Sequence, residues 1–133
     1  MNSETLAASK PNITIKQSDY ARLIALAQIS MDKDLALGEE LMGELERAAV
    51  VVDDAAASKT IQMGSTATYT TETGHMRTVT LVYPGEANIE TNRISILTPV
   101  GVALLGLSEN QSIKWIARDG LAHALTVTKI AAT

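Results

Sequence analysis

The chain has 133 residues with 15 acidic and 11 basic side chains, a formal net charge of −4 and a pI near 5.1. That size fits one compact domain, or one domain with a small appendage, and the acidic balance excludes a bulk polyelectrolyte grip on nucleic acid. With no cysteine and two histidines, disulfides, thiol nucleophiles, cysteine-based metal centres and a histidine metal cage are all excluded.

No apolar run reaches the roughly 20 residues that a bilayer span needs. The opening MNSETLAASKPN has neither the basic start nor the apolar stretch of a secretory signal, so the expected location is cytoplasmic, with no membrane partner. Residues 1–54 hold ten acids and five bases, whereas 55–133 hold five acids and six bases. Such asymmetry fits two units with different tasks, or acidic surface helices on a neutral sheet.

In chain order, residues 1–12 read as a disordered lead and Ile13-Thr14-Ile15 as one small strand or an extended staple. Ser18 is the expected cap of a first helix that begins with Asp19, an acid at the positive end of the dipole. Tyr20, Leu23, Ile24, Ala27 and Met31 recur at helical spacing on one face. Asp32-Lys33-Asp34 interrupts this pattern, and Asp34 can cap a second helix whose stripe is Leu37, Leu41, Leu45, Ala48 and Val52. Glu39, Glu40, Glu44, Glu46 and Arg47 are expected on its solvated side, and Gly38 and Gly43 weaken it by about 1 kcal/mol each. Two facing stripes and a short connection predict an antiparallel hairpin. At about 14 residues per helix the arm is on the order of 20 Å long.

Residues 53–59 read as a linker. Beyond Thr60 the composition turns to Thr, Val, Ile and Tyr, which suit a pleated surface. Strands are expected at Ser65–Thr71, Met76–Tyr83, Arg93–Leu97, Ser112–Ala117 and Ala122–Ile130, with turns at Gly74 and at Asp119-Gly120. The stretches Met63–Ala67 and Ala122–Ile130 are candidate sheet edges. Thr98-Pro99 opens a short apolar helix, Val100–Leu105, that Gly106 stops. The whole is an α+β chain in which a half-open sheet wraps over one short helix.

Catalytic patterns are missing. No phosphate-cradling glycine loop or nucleophile elbow occurs, and His75 and His123 are expected as solvated or half-exposed residues. At the hairpin tip, Asp32 and Asp34 could together chelate Mg²⁺, or could form a polar loop plus a helix cap. A curled sheet over a helix is also the shape of FKBP-type prolyl isomerases, but no Phe, one Trp (Trp115) and three Tyr furnish an aromatic proline pocket poorly. Trp115 is expected to pack in the core or on a sheet face. No catalytic residue, metal, cofactor or small-molecule substrate is expected.

Leu81-Val82-Tyr83-Pro84, followed by Ile94-Ser95-Ile96-Leu97-Thr98-Pro99-Val100-Gly101-Val102-Ala103-Leu104-Leu105-Gly106-Leu107, resembles the C-terminal domain of the Gre transcription factors, and the Rnk-like group in particular. Gly43-Glu44-Leu45-Glu46-Arg47-Ala48 resembles a segment of the second arm helix in that group. The resemblance covers about residues 13–130. It departs where the family's usual Gly-Asp turn before the fourth strand is replaced by Glu109-Asn110-Gln111.

The resemblance implies an N-terminal hairpin within 1–54 and an FKBP-like antiparallel sheet domain within 55–133. It further implies docking on bacterial RNA polymerase at the rim of the secondary channel, through Thr98, Pro99, Val100, Gly101 and neighbouring loops. Gre factors carry a long coiled coil whose acidic tip assists transcript cleavage, whereas Rnk-like proteins have a short one. The expectation is therefore a non-enzymatic regulator that competes with Gre-type and DksA-type factors and touches DNA only through the polymerase. Any effect on nucleoside diphosphate kinase is expected to be indirect. The alternative is a Mg²⁺-assisting cleavage factor acting through Asp32 and Asp34.

Overall fold

The computed structural model describes residues 11–52, 57, 59–116 and 120–131. Strand β1 (Thr14–Lys16) runs straight into helix α1 (Gln17–Ser30), and α2 (Leu35–Arg47) returns antiparallel to it before strand β2 (Ala49–Val51). The hairpin turns tightly because Gly38 carries no side chain: a Cβ there would lie 2.7 Å from the Met31 backbone nitrogen.

Three local expectations for this half are corrected. Helix α1 starts before Ser18, because β1 delivers the chain to it with extended Lys16 as the cap position and no side-chain cap. The second stripe stops at Arg47: the Ala49 N–H bonds the Ile13 carbonyl at 2.9 Å, β2 pairs parallel with β1, and Val52 is 81% exposed. Glu44 is buried instead of solvated. Its carboxylate meets the Arg47 guanidinium at 2.7 Å, which compensates a charge that burial would otherwise expel.

The second half holds β3 (Thr66–Thr71), β4 (Met76–Val82), β5 (Arg93–Ser95), α3 (Pro99–Leu104), β6 (Ser112–Ile116) and β7 (Ala122–Ile130). The strand order is β5-β4-β3-β7-β6. Every pair is antiparallel except β4–β5, where two short 3-10 turns and left-handed Asn92 carry the chain back to start β5 beside Thr80. The sheet is therefore mixed at one edge. The edges are β5 and β6, not Met63–Ala67 or Ala122–Ile130, since β3 and β7 each have two neighbours. Of the expected turns, Gly74 takes φ +86° and Gly120 φ +81°; Ala117, Asp119 and most of the 53–59 linker lie outside the described residues. Where the family's Gly-Asp turn is missing, Asn110 adopts φ +71°, a conformation that Asn tolerates, and its N–H bonds the Val127 carbonyl.

Alternation of the strands sends Ala67, Tyr69, Val79, Leu81, Ile113, Leu125 and Val127 inward against α3. Leu23, Leu41 and Leu45 of the hairpin and Ile13 and Ile15 belong to the same buried cluster. The base of the arm is thus embedded. The Thr14 N–H bonds the Gly106 carbonyl, and the Gln62 side-chain amide bridges the Thr14 carbonyl and the Lys16 N–H. Gly106 permits this approach, since its φ is +80° and a Cβ would lie 2.7 Å from Ile13.

Candidate functional site

The corner between β5 and α3 is built from its own polar groups. The Thr98 hydroxyl donates to the Ser95 carbonyl at 2.8 Å and accepts the Gly101 N–H at 3.0 Å, and the Leu97 N–H donates to the Ser95 hydroxyl. Pro99 occupies the first helical turn, where no N–H is missed. Gly101 is required by contact: a Cβ would stand 2.3 Å from the Ser95 carbonyl oxygen. The Thr98 hydroxyl is thus engaged within the corner in both of its roles. Thr98, Pro99 and Val100 are half-buried and Gly101 is buried, so Pro99 and Val100 are the apolar side chains that the corner exposes in part.

Beside the corner lies a groove of about 590 Å³, lined by Tyr69, Arg77, Ala87, Ile89, Arg93, Ile94, Ser95, Thr98, Pro99, Val100, Trp115 and His123. A smaller cavity of about 260 Å³ is lined by Glu40, Glu44, Pro99, Val102, Ala103, Ile113, Lys114 and Trp115. Pro99 and Trp115 line both and separate them. The Trp115 ring stacks on His123 with centroids 5.7 Å apart. Glu72, on the turn after β3, fixes His123 through a 3.2 Å contact to its Nδ1 and accepts the Ala124 N–H. That backbone donor, ahead of its own amide and His123, holds the Glu72 carboxyl below its ordinary pKa. Burial raises the Tyr69 phenol, partly offset by Arg77. The groove combines apolar walls with the exposed Arg77 and Arg93, a chemistry suited to holding another molecule by burial and charge.

The sequence reading did not anticipate that Tyr69, Trp115 and His123, from three strands, meet in one groove. His75 stays at the exposed Gly74 turn, with its ring nitrogen against the Thr73 hydroxyl.

At the hairpin tip, Asp34 caps α2 by accepting the Leu37 N–H at 3.2 Å, while Asp32 is exposed. Beside these acids Ile29 and Leu35 are 60% and 58% exposed. Among the described residues, no group of three or more His, Asp or Glu side chains comes close enough to hold a metal ion. The two parts of the chain also meet through side chains. The Tyr83 hydroxyl donates to Asp19 Oδ1 at 2.9 Å, and the Arg22 guanidinium lies 3.6 Å above the Tyr83 ring. Burial first, and then the Asp19 carboxylate, push the Tyr83 phenol far above the ordinary tyrosine pKa.

Two family models match the chain: "Transcription elongation factor, GreA/GreB, C-term" over residues 56–132, and "Rnk N-terminus" over residues 11–51. The chain belongs to the Rnk group of the GreA/GreB family. It is 31% identical to the regulator of nucleoside diphosphate kinase of Escherichia coli strain K12, over 92% of this chain and 90% of that one. It is 30% identical to transcription elongation factor GreA of Chloroflexus aggregans, over 96% of this chain and 79% of that one. Among solved structures, a prokaryotic transcription elongation factor GreA/GreB from Nitrosomonas europaea matches with a TM-score of 0.68 and 32% identity, over 92% of this chain and 99% of that chain. The protein is accordingly a Gre-related transcription factor, and the helices followed by a curled sheet are the architecture of that family. Among the described residues, no helix is long and apolar enough to cross a membrane.

Proposed function

We propose that the protein is a non-enzymatic regulator that binds RNA polymerase at the rim of the secondary channel, competes there with Gre-type factors and does not stimulate transcript cleavage. In this reading residues 1–54 are the arm and residues 55–133 the docking body. Thr98–Gly101 and the adjoining groove meet the polymerase, and Pro99 and Val100 supply apolar contact. DNA is touched only through the polymerase, the protein works in the cytoplasm, and any effect on nucleoside diphosphate kinase is indirect.

The observation that carries the reading is the arm. Its helices have 14 and 13 residues, so at 1.5 Å per residue it spans about 20 Å, and its base is embedded in the shared core. Such an arm occupies an entrance without bringing a carboxylate to a distant reacting centre. Asp34 moreover uses a carboxylate oxygen to cap its helix.

Retention of purified polymerase core by the immobilised chain tests the partner. Binding at micromolar concentration is expected. Pro99→Ala is expected to weaken it while thermal unfolding shows the domain still folded. A chain that retains no polymerase refutes the reading, and binding that falls only together with unfolding makes the corner structural.

A further inference from the structure

We propose that Asp19, Arg22 and Tyr83 form a latch that sets the angle of the helical arm on the sheet domain, with Tyr83 as a positioning residue for the arm's tip. The functional half of this inference rests on the proposed polymerase reading; the latch itself does not.

Asp19 and Arg22 sit one turn apart on α1, and Tyr83 follows β4, 64 residues further along the chain from Asp19. The phenol uses both of its features. Its hydroxyl donates to Asp19 at 2.9 Å, and its ring face receives the Arg22 guanidinium at 3.6 Å. Tyr83 is 9% exposed, Asp19 is half-buried and Arg22 is exposed, so the hydrogen bond is partly shielded from water. The phenol keeps its proton across the physiological pH range, because burial and the Asp19 acceptor both oppose ionisation, and the donor is always present.

Hydrogen bonds at the strands beneath the arm also tie it: Thr14 bonds Gly106, and Gln62 bridges Thr14 and Lys16. Leu23, Leu41 and Leu45 pack the two helices into the shared core. To that undirected packing the latch adds a directional polar contact on α1 itself. Leverage makes its position matter. From Asp19 to Ser30, the last residue of α1, is about 17 Å of helix, so a 10° change at the base would move that end by roughly 3 Å. An arm that must fit an entrance needs that angle fixed.

The chain has no cysteine, so paired spin labels can be placed cleanly on Lys33→Cys at the tip and Lys129→Cys on β7, both exposed. In the free full-length protein the background should give one narrow distance distribution. Tyr83→Phe, which keeps the ring, and Asp19→Ala should shift or broaden it by several ångströms. Asp19→Asn, which keeps an oxygen acceptor, should restore the narrow distribution. Unchanged distributions in Tyr83→Phe and Asp19→Ala, with circular dichroism showing both folded, overturn the latch.

In competition with GreA for polymerase, Tyr83→Phe should retain binding through the untouched corner and need at least several-fold more protein to displace GreA. Equal displacement despite a broadened distribution overturns the positioning role. A parent chain that never binds polymerase refutes the proposed function instead, and the distance measurement still decides the latch.

Discussion

Replacing Gly101 by alanine asks how tightly the corner beside the groove is built. The added Cβ would stand 2.3 Å from the Ser95 carbonyl oxygen and 3.0 Å from both the Ile96 Cα and the Thr98 hydroxyl. Two of these three atoms belong to the backbone of the preceding segment and cannot rotate away. The corner must open, and the Thr98 cap bonds to Ser95 and Gly101 stretch with it. Overpacking of this kind costs about 3 kcal/mol. Unfolding entropy of about 2.1 cal/mol/K per residue gives roughly 0.28 kcal/mol/K for a chain of this length, so the melting midpoint should fall by about 10 °C. Gly43→Ala is the matched control. No atom lies within 4 Å of its added Cβ, and removing a glycine from a helix interior should gain about 1 kcal/mol, or roughly 3–4 °C. Differential scanning calorimetry on the two variants decides the matter: a Gly101→Ala midpoint equal to that of the parent refutes the tight corner.

Two further perturbations follow from the contacts. Asp34→Ala removes the α2 cap and should cost about 1 kcal/mol, whereas Asp34→Asn should cost much less; equal midpoints for the parent and Asp34→Ala would show that the cap is not made in solution. The folded-state pKa of Tyr83 is raised above that of the unfolded chain, so the folded state holds the proton more tightly. Its contribution is fully present below about pH 10, the ordinary tyrosine value, and is lost as the pH rises beyond it. Urea midpoints should therefore fall above about pH 10, and Tyr83→Phe should flatten that fall. Because burial raises Tyr69 as well, some slope should remain in the variant, and an unaltered slope would contradict the account.

The elements that were legible in the sequence are those set by local chemistry. Composition marked β3, β4 and β7, because Thr, Val, Ile and Tyr suit a pleated surface. Thr98, Pro99 and Gly106 marked α3, because a cap, a residue without an N–H and a positive φ leave little else for the chain to do. The reading failed where distant partners decide. The apolar stripe continues at helical spacing from Leu45 to Ala48 and Val52, and only pairing with β1 turns Ala49–Val51 into a strand. Glu44 looks solvated on a helical wheel until Arg47 pairs with it beneath the surface. Strand order and the parallel placement of β5 depend on the long connection after Tyr83, which carries no register signal of its own. The strand-to-helix corner at Thr98, Pro99, Val100 and Gly101 was legible. Its groove was not, since Tyr69, Trp115 and His123 are contributed by three strands. The tie between Tyr83 and Asp19 was hidden for the same reason.

Transcript cleavage on stalled polymerase complexes in Mg²⁺ tests the central claim most directly. The account predicts that the chain alone leaves the RNA at full length, and that excess chain suppresses the shortening caused by GreA. RNA shortened by the chain alone would contradict it, for a 20 Å arm would then be performing chemistry that its reach denies it.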